Sequence, residues 1–268
     1  MGSAWLVPDW PAPDGVRAVF TLRGMNARDG ASRGPWRFFN LGDHVGDDAA
    51  AVATNRVRLR DALGARPVFL RQVHGTGVAT LAGDTPDGIS ADAVLTSERA
   101  LACTIMVADC LPVLLSDARG QRVAAIHAGW RGLAAGVLEQ TLARLRASSA
   151  SGPAPGAGAS SGPDVLAWLG PCIGPEAFEV GPEVHAAFVD GDPMAAACFI
   201  AARPGKYLAD LQALARQRLQ RLGVSRVYGN DGGSAWCTVG NASRYFSHRR
   251  DQRTLGATGR MAACIWRH

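Results

Sequence analysis

Long hydrophobic runs are missing from this chain of 268 residues. A membrane-spanning helix requires about 18 consecutive apolar residues. The best stretch, Leu101 to Leu115, is interrupted by Asp109, so no membrane partner is expected. Lysine is nearly absent: Lys206 is the sole one among 28 cationic residues, which 23 acidic residues offset to a net charge of +5. The arginines are scattered, with Arg249-Arg250 the only adjacent pair. A nucleic-acid surface concentrates its charge in a patch or stripe, so no nucleic-acid partner is expected either. Met1 to Leu6 lacks the basic region and apolar stretch of a secretory signal. Leu6 also stands where a myristoylation motif requires Ser or Thr. Six cysteines in a chain of this length do not make a disulfide scaffold. Reduced thiols in the cytoplasm are the expectation. Neither a P-loop nor a glycine-rich dinucleotide fingerprint occurs. Both halves of the His-x-Glu…Pro-Cys-x-x-Cys deaminase signature are missing as well.

What is present is an ordinary globular composition. Apolar residues make up 47% and charged residues 19%, which excludes global disorder. The length fits one large domain or two small ones. Asp47 and Asp48 mark the first turn of a helix that Gly64 ends, with Val52, Val57, Leu59 and Leu63 as its apolar stripe. Strands are expected at Val16–Leu22, Pro67–Val73, Ala91–Thr96, Leu101–Ala108, Pro112–Ser116, Arg122–His127, Val165–Leu169, Val224–Tyr228 and Met261–Trp266. Two of these are nearly continuous in apolar character, the mark of strands covered on both faces. Further helices are expected from Trp130 to about Arg146, over Glu183–Val189 and over Leu208–Leu222. Residues 147–163 contain only Ala, Ser, Gly and Pro. Such a tract cannot bury enough apolar surface to offset its ordering entropy, and long surface loops cost little. It reads as an insertion within one domain spanning residues 1–268, because strand-like Val165–Leu169 resumes at once.

Three segments share one design: a β-rich run ends in a potential metal ligand and the chain then turns. They are Gln72-Val73-His74-Gly75, Ala108-Asp109-Cys110-Leu111-Pro112 and His127-Ala128-Gly129-Trp130-Arg131-Gly132. Rigid strand ends are where sites are commonly built. Two histidines and a cysteine make three protein ligands, the count of a catalytic zinc with an open fourth position. The separations of 36 and 17 residues match no short local zinc signature. Taken singly, a histidine near a strand end is more often hydrogen-bonded structure, and a lone cysteine a small buried hydrophobe.

These blocks carry a resemblance. Together with Asn40-Leu41-Gly42-Asp43-His44, Asn55-Arg56, Ala91-Asp92-Ala93, Gly170-Pro171-Cys172-Ile173-Gly174-Pro175, Cys237-Thr238 and Phe246-Ser247-His248-Arg249-Arg250-Asp251, they resemble the YfiH family. It is also called the laccase-domain or peptidoglycan editing factor family, and the resemblance covers nearly the whole chain. It implies an α+β fold of packed mixed β-sheets flanked by helices. It implies zinc held by His74, Cys110 and His127. It further implies phosphorolysis of adenosine, inosine, guanosine and methylthioadenosine, with adenosine deamination, so that purine nucleosides and phosphate are the partners. Family members often carry Tyr where this chain has His248.

Around the ligands, Arg131 is the candidate for gripping phosphate, because a guanidinium binds two oxygens at once. Arg56, Arg249 and Arg250 follow. Gln72 shares a strand face with His74 and could bond a base or ribose. Asp109 points away from the ligands unless the strand kinks, and could orient a histidine or stabilise the turn. Asn40 and His44 could contact substrate or serve the helix that follows. Cys172 lacks a local basic partner and reads as a packing residue. Three rivals remain. A Cys and two His is also a blue-copper ligand set, and copper could bind adventitiously, but six histidines are too few for a laccase's further copper cluster. Cys110 with His74 or His127 as base would make a cysteine hydrolase, a chemistry that suits editing of a peptidoglycan precursor. A binding module without catalysis leaves the shared design of the three ligand segments unexplained. Exchange of residues 147–163 for a short Gly-Ser loop is expected to leave melting temperature and turnover unchanged. A large loss of either would show that the tract packs against the core.

Overall fold

The computed structural model describes residues 5–147 and 164–268; the remainder of the Ala/Ser/Gly/Pro tract lies outside them. The chain opens with β1 (Trp5–Leu6), β2 (Val16–Thr21) and helix α1 (Ala49–Leu63), followed by β3 (Arg66–Phe69), β4 (Val78–Thr80) and β5 (Ala93–Thr96). Then come β6 (Leu101–Val107), β7 (Leu111–Asp117), β8 (Val123–Ala128), α2 (Trp130–Ala135), α3 (Val137–Ala147) and β9 (Val165–Leu169). The last part holds β10 (Glu179–Val180), α4 (Pro182–Val189), β11 (Phe199–Ala201), β12 (Tyr207–Ala209), α5 (Leu211–Arg221), β13 (Arg226–Gly229), α6 (His248–Leu255) and β14 (Met261–Arg267).

Two large mixed sheets pack face to face. One has the order β1-β2-β14-β6-β3, the other β13-β9-β7-β8-β5-β4, and β10-β12-β11 form a small third sheet. Every residue of β6, β7, β8 and β9 is buried, because each large sheet is covered on both faces. Side-chain alternation makes the layers visible in the sequence. Leu114, Ala125 and Trp168 meet Phe20, Cys103 and Ile105 between the sheets. Val113, Leu115, Ile126 and Leu169 turn the other way, onto Leu138 and Leu142 of α3, Phe188 of α4 and Leu214 of α5. On the far side, Leu59 and Leu63 of α1 cover Ala102, Met106 and Cys264. The result is helix, sheet, sheet and helices, an α+β fold in four layers.

Several elements differ from the sequence expectation for identifiable reasons. The expected Trp130–Arg146 helix is two helices, divided at Gly136, whose φ of 97° is left-handed. The helix expected from Leu208 begins at Leu211, because Asp210 caps it by accepting from the Ala213 amide at 2.7 Å and Tyr207–Ala209 pair in the small sheet. Strand β3 stops at Phe69, well before Val73. Helix α6 carries no apolar stripe and so escaped periodicity. Its signal is polar: the Ser247 hydroxyl accepts from the Arg250 amide while Asp251 accepts from the Ser247 amide at 3.1 Å, a reciprocal cap. Among the described residues no helix is long and apolar enough to cross a membrane.

Candidate metal centre and its cavity

Antiparallel pairing sets Leu111 of β7 opposite Ala128 of β8 and Pro112 opposite His127, so the residue before β7 lies beside the end of β8. That residue is Cys110, in the turn that carries the chain from β6 in one large sheet to β7 in the other. The turn is possible because Asp109 adopts a φ of 95°. Three contacts hold it: Thr238 Oγ1 donates to Asp109 Oδ1 at 2.6 Å, the Arg249 amide donates to Oδ2 at 2.6 Å, and the Ile173 amide donates to the Asp109 carbonyl at 2.9 Å.

His74 comes from a loop, not a strand end as the sequence pattern implied, and has a φ of 60°. What fixes it is Asp92, a residue whose role sequence reasoning missed. The Asp92 carboxylate is fully buried and accepts four hydrogen bonds. Oδ1 takes the His74 amide and His127 Nδ1, both at 2.8 Å, and Oδ2 takes the amides of Gly75 at 2.7 Å and Val73 at 3.2 Å. The Asp92 carbonyl also accepts the His127 amide at 2.7 Å. With Nδ1 committed to Asp92, Nε2 of His127 is the nitrogen turned toward Cys110 and the centre.

The three ligand atoms lie within 4.8 Å of one another, and Cys110 Sγ stands 3.7 Å from His74 Nε2. A tetrahedral centre with bonds of about 2.0–2.3 Å spaces its ligands by roughly 3.3–3.8 Å, so this donor set fits a single metal ion. Gly129 permits the approach: a Cβ there would sit 2.9 Å from His74 Cδ2 and 3.0 Å from Cys110 Sγ. Gly132 does the same for α2, since its Cβ would meet the Gly75 carbonyl at 2.7 Å. Burial works to raise the Cys110 thiol, but attraction to His127 and hydrogen bonds from His127 and His74 outweigh it and bring the thiol down to about 6. Burial likewise opposes the charged form of His127, and Cys110 and Asp92 together lift it to about 9. Burial would also raise the Asp92 carboxyl; the bonds from His127, Gly75 and Val73 hold it below the ordinary range.

The group opens into a cavity of about 400 Å³. Of the expected site residues, His74, Cys110, His127, Arg131, His44, Gln72, Asp109 and Arg249 line it, and so does His248. Arg131 is exposed, stacks its guanidinium 4.4 Å from the Trp130 ring centre, and has no polar partner among the described residues. Gln72 is committed elsewhere: its amide donates to the Met106 carbonyl and accepts from the Met106 amide, both at 2.8 Å. Asp109 orients no histidine, since both its oxygens serve the turn.

Three expected residues lie outside the cavity. Asn40 is fully buried and bonds Gly42, Asp47 and the Arg260 amide. Arg56 reaches the Leu41 carbonyl and Asp43 while covering the Phe69 ring. Arg250 spends its guanidinium on Asp251 and on the carbonyls of Thr238, Val239 and Tyr245. Trp130, Phe178 and Arg260 also line the cavity, and the sequence reading had given none of them a role.

Residues 17–268 match the family described as multi-copper polyphenol oxidoreductase laccase. A relative named purine nucleoside phosphorylase PA4543, from Pseudomonas aeruginosa, is 47% identical over 98% of each chain. The chain belongs to the laccase-like YfiH family. The Escherichia coli purine nucleoside phosphorylase YfiH is 44% identical over 98% of this chain and 99% of that one. Among solved structures, the Neisseria meningitidis protein NMB0706 matches with a TM-score of 0.84 at 44% identity, over 99% of each chain. YlmD from Geobacillus stearothermophilus matches with a TM-score of 0.85 at 30% identity, covering 100% of this chain and 97% of that one. The packed mixed sheets and flanking helices are therefore those of solved YfiH-family proteins.

Two outcomes follow from the contacts. Asp92→Asn keeps the size of the side chain but replaces one acceptor oxygen with a donor facing backbone amides. Metal affinity, read by competition with a chelator, should fall about 10- to 100-fold. Arg250→Ala should act on stability, because it strands the buried Asp251. Urea unfolding should show a loss of about 3 kcal/mol. Burial would raise the Asp251 carboxyl, but Arg250 and the Ser247 amide hold it low. A depressed carboxyl stabilises the fold above its unfolded value of about 3.9 and loses that contribution as pH falls through the folded value. The gap between variant and wild type should therefore narrow in acid.

Proposed function

We propose that this chain is a zinc-dependent purine nucleoside phosphorylase that cleaves adenosine, inosine, guanosine and methylthioadenosine and also deaminates adenosine. The observation that carries the reading is a two-histidine, one-cysteine group open to a cavity that pairs apolar walls with arginines. Zinc suits this donor set and, when bound with an open position, supplies Lewis acidity and lowers the pKa of a bound water to about 7. Copper would take the same ligands. Among the described residues, however, no second cluster of ligands is present to build a multi-copper centre.

Phosphorolysis breaks the C1′–N9 bond, forms a C1′–O bond to phosphate and releases the purine. Phe178, Ile173 and Leu211 in the cavity lining offer apolar surface to the base. Arg131, with its fork uncommitted, is suited to phosphate at the mouth. Asp92 keeps the His127 ring and the His74 backbone in place throughout. Deamination exchanges the purine amino group for the oxygen of water and needs no phosphate. All six cysteines are unpaired, which suits work in a reducing cytoplasm.

A second reading, a cysteine hydrolase acting on a peptidoglycan precursor, draws on the lowered Cys110 thiol beside His127. Metal dependence separates the two. Under the phosphorylase reading, purified protein holds about one zinc per chain by elemental analysis, Cys110→Ala loses it, and chelation stops purine release. Full occupancy in Cys110→Ala would exclude the ligand assignment. Activity that survives chelation would favour the thiol. Arg131→Ala should slow inosine phosphorolysis about 10- to 150-fold at low phosphate, the value of one charge-assisted contact of roughly 1.5–3 kcal/mol. Adenosine deamination should fall much less. Equal losses would give Arg131 a structural role.

A further inference from the structure

Arg260 is the cavity residue best constrained and least explained. It directly precedes β14, whose Met261 pairs with Val107 at the end of β6, so it stands beside the Asp109–Cys110 turn. Its backbone is held from both sides: the amide donates to Asn40 Oδ1 at 2.8 Å, and the carbonyl accepts the Leu41 amide at 3.1 Å. Gly42 makes room for its stem, since a Cβ there would lie 2.8 Å from Arg260 Cγ. The Asn40-Leu41-Gly42 segment thus positions an arginine.

The guanidinium it positions has little to do within the protein. Nη1 reaches the neighbouring carbonyls of Thr258 and Gly259 at 3.4 and 3.1 Å, and Nε and Nη2 have no partner among the described residues. No carboxylate there lies within ion-pairing distance. Burial presses the group below its ordinary value, and the anions that counter this are Cys110 and Asp109. Cys110 belongs to the metal group, and both Asp109 oxygens are already bonded to Thr238 and the Arg249 amide. Arg260 is half-buried, and its unused nitrogens are open to the cavity rather than sealed in the core. Arg249 likewise uses only Nη1, but it ties that nitrogen to the distant carbonyls of Ala177 and Glu179 and lies 5.7 Å from the Phe178 ring centre. The Arg260 guanidinium bonds only its own neighbours and stands beside the Cys110 turn. Arg131 is exposed.

We propose that Arg260 is the interior anion anchor of the cavity and holds the phosphate co-substrate beside the metal group, with Arg131 acting at the mouth. The identity of the anion as phosphate rests on the phosphorylase reading; the anion site rests on the cavity and on the uncommitted fork.

The test uses metal-loaded protein and inorganic phosphate. Phosphate should raise the melting temperature of the wild type. In Arg260→Gln the concentration giving half of that effect should rise about tenfold or more, with metal content unchanged. In steady-state assays the KM for phosphate should rise to match, while the KM for inosine stays within about twofold. Arg260→Lys should lose less, because an ammonium keeps the charge without the planar fork. It carries the test if the Gln variant does not fold. Unchanged phosphate binding in the variant that folds, or no phosphate response in the wild type, overturns the proposal. Phosphate binding that depends on Arg260 without purine release from nucleosides would remove the phosphorylase reading and leave the anion site. Purine release with an unaltered phosphate KM in the Arg260 variants would do the reverse.

Discussion

One carboxylate organises the centre. Asp92 has no exposed surface, and four N–H groups surround it. A buried carboxylate is tolerated only when its lone pairs are filled. Here the groups that fill them are the Val73–Gly75 amides around His74 and the ring of His127. The cost of burying the charge is offset by the same bonds that hold His74 at a left-handed φ and select the free nitrogen of His127. The glycines around it complete the constraint: Gly129 and Gly132 keep clear the volumes into which the ligands and the His74–Gly75 loop must fit.

Much of the fold was legible because packing on both faces leaves a strong trace. Strands such as Leu111–Asp117 and Val165–Leu169 read as nearly continuous apolar runs, and their alternate residues face different layers. Local chemistry was readable as well: Asp48 caps α1 and Gly64 ends it in the left-handed conformation. What failed to register was structure decided by distant partners. Strand β3 ends early because the chain beyond it is drawn toward Asp92, some twenty residues later. The α2–α3 break turns on one glycine in an otherwise helical run.

At the site, the three residues that could hold a metal could be named because strand-associated His and Cys residues recur with turn residues after them. The roles of their supports could not be read from spacing. Asp109 and Asp92 both stand beside β-rich runs, and only the tertiary arrangement shows that Asp92 serves the histidines while Asp109 serves the turn. Arginine was hardest to sort in a chain with 28 cationic residues. Arg56 and Arg250 satisfy local carbonyls and carboxylates, whereas Arg260, flanked by Gly259 and a strand, has no sequence feature to separate it from the others. Its distinction lies in the backbone bonds to Asn40 and Leu41 that fix it beside the Cys110 turn.

The turn carrying Cys110 is also the crossing between the two large sheets, and His127 belongs to only one of them. An ion held by Cys110 and both histidines would therefore act as a rivet across the sandwich rather than as a passenger in a loop. Because His74 is exposed and the group opens into the cavity, the ion could leave by that route, and its loss would untie the Cys110 turn from the end of β8. An empty centre would thus leave the joint between the two sheets at this edge to the Asp109 contacts alone.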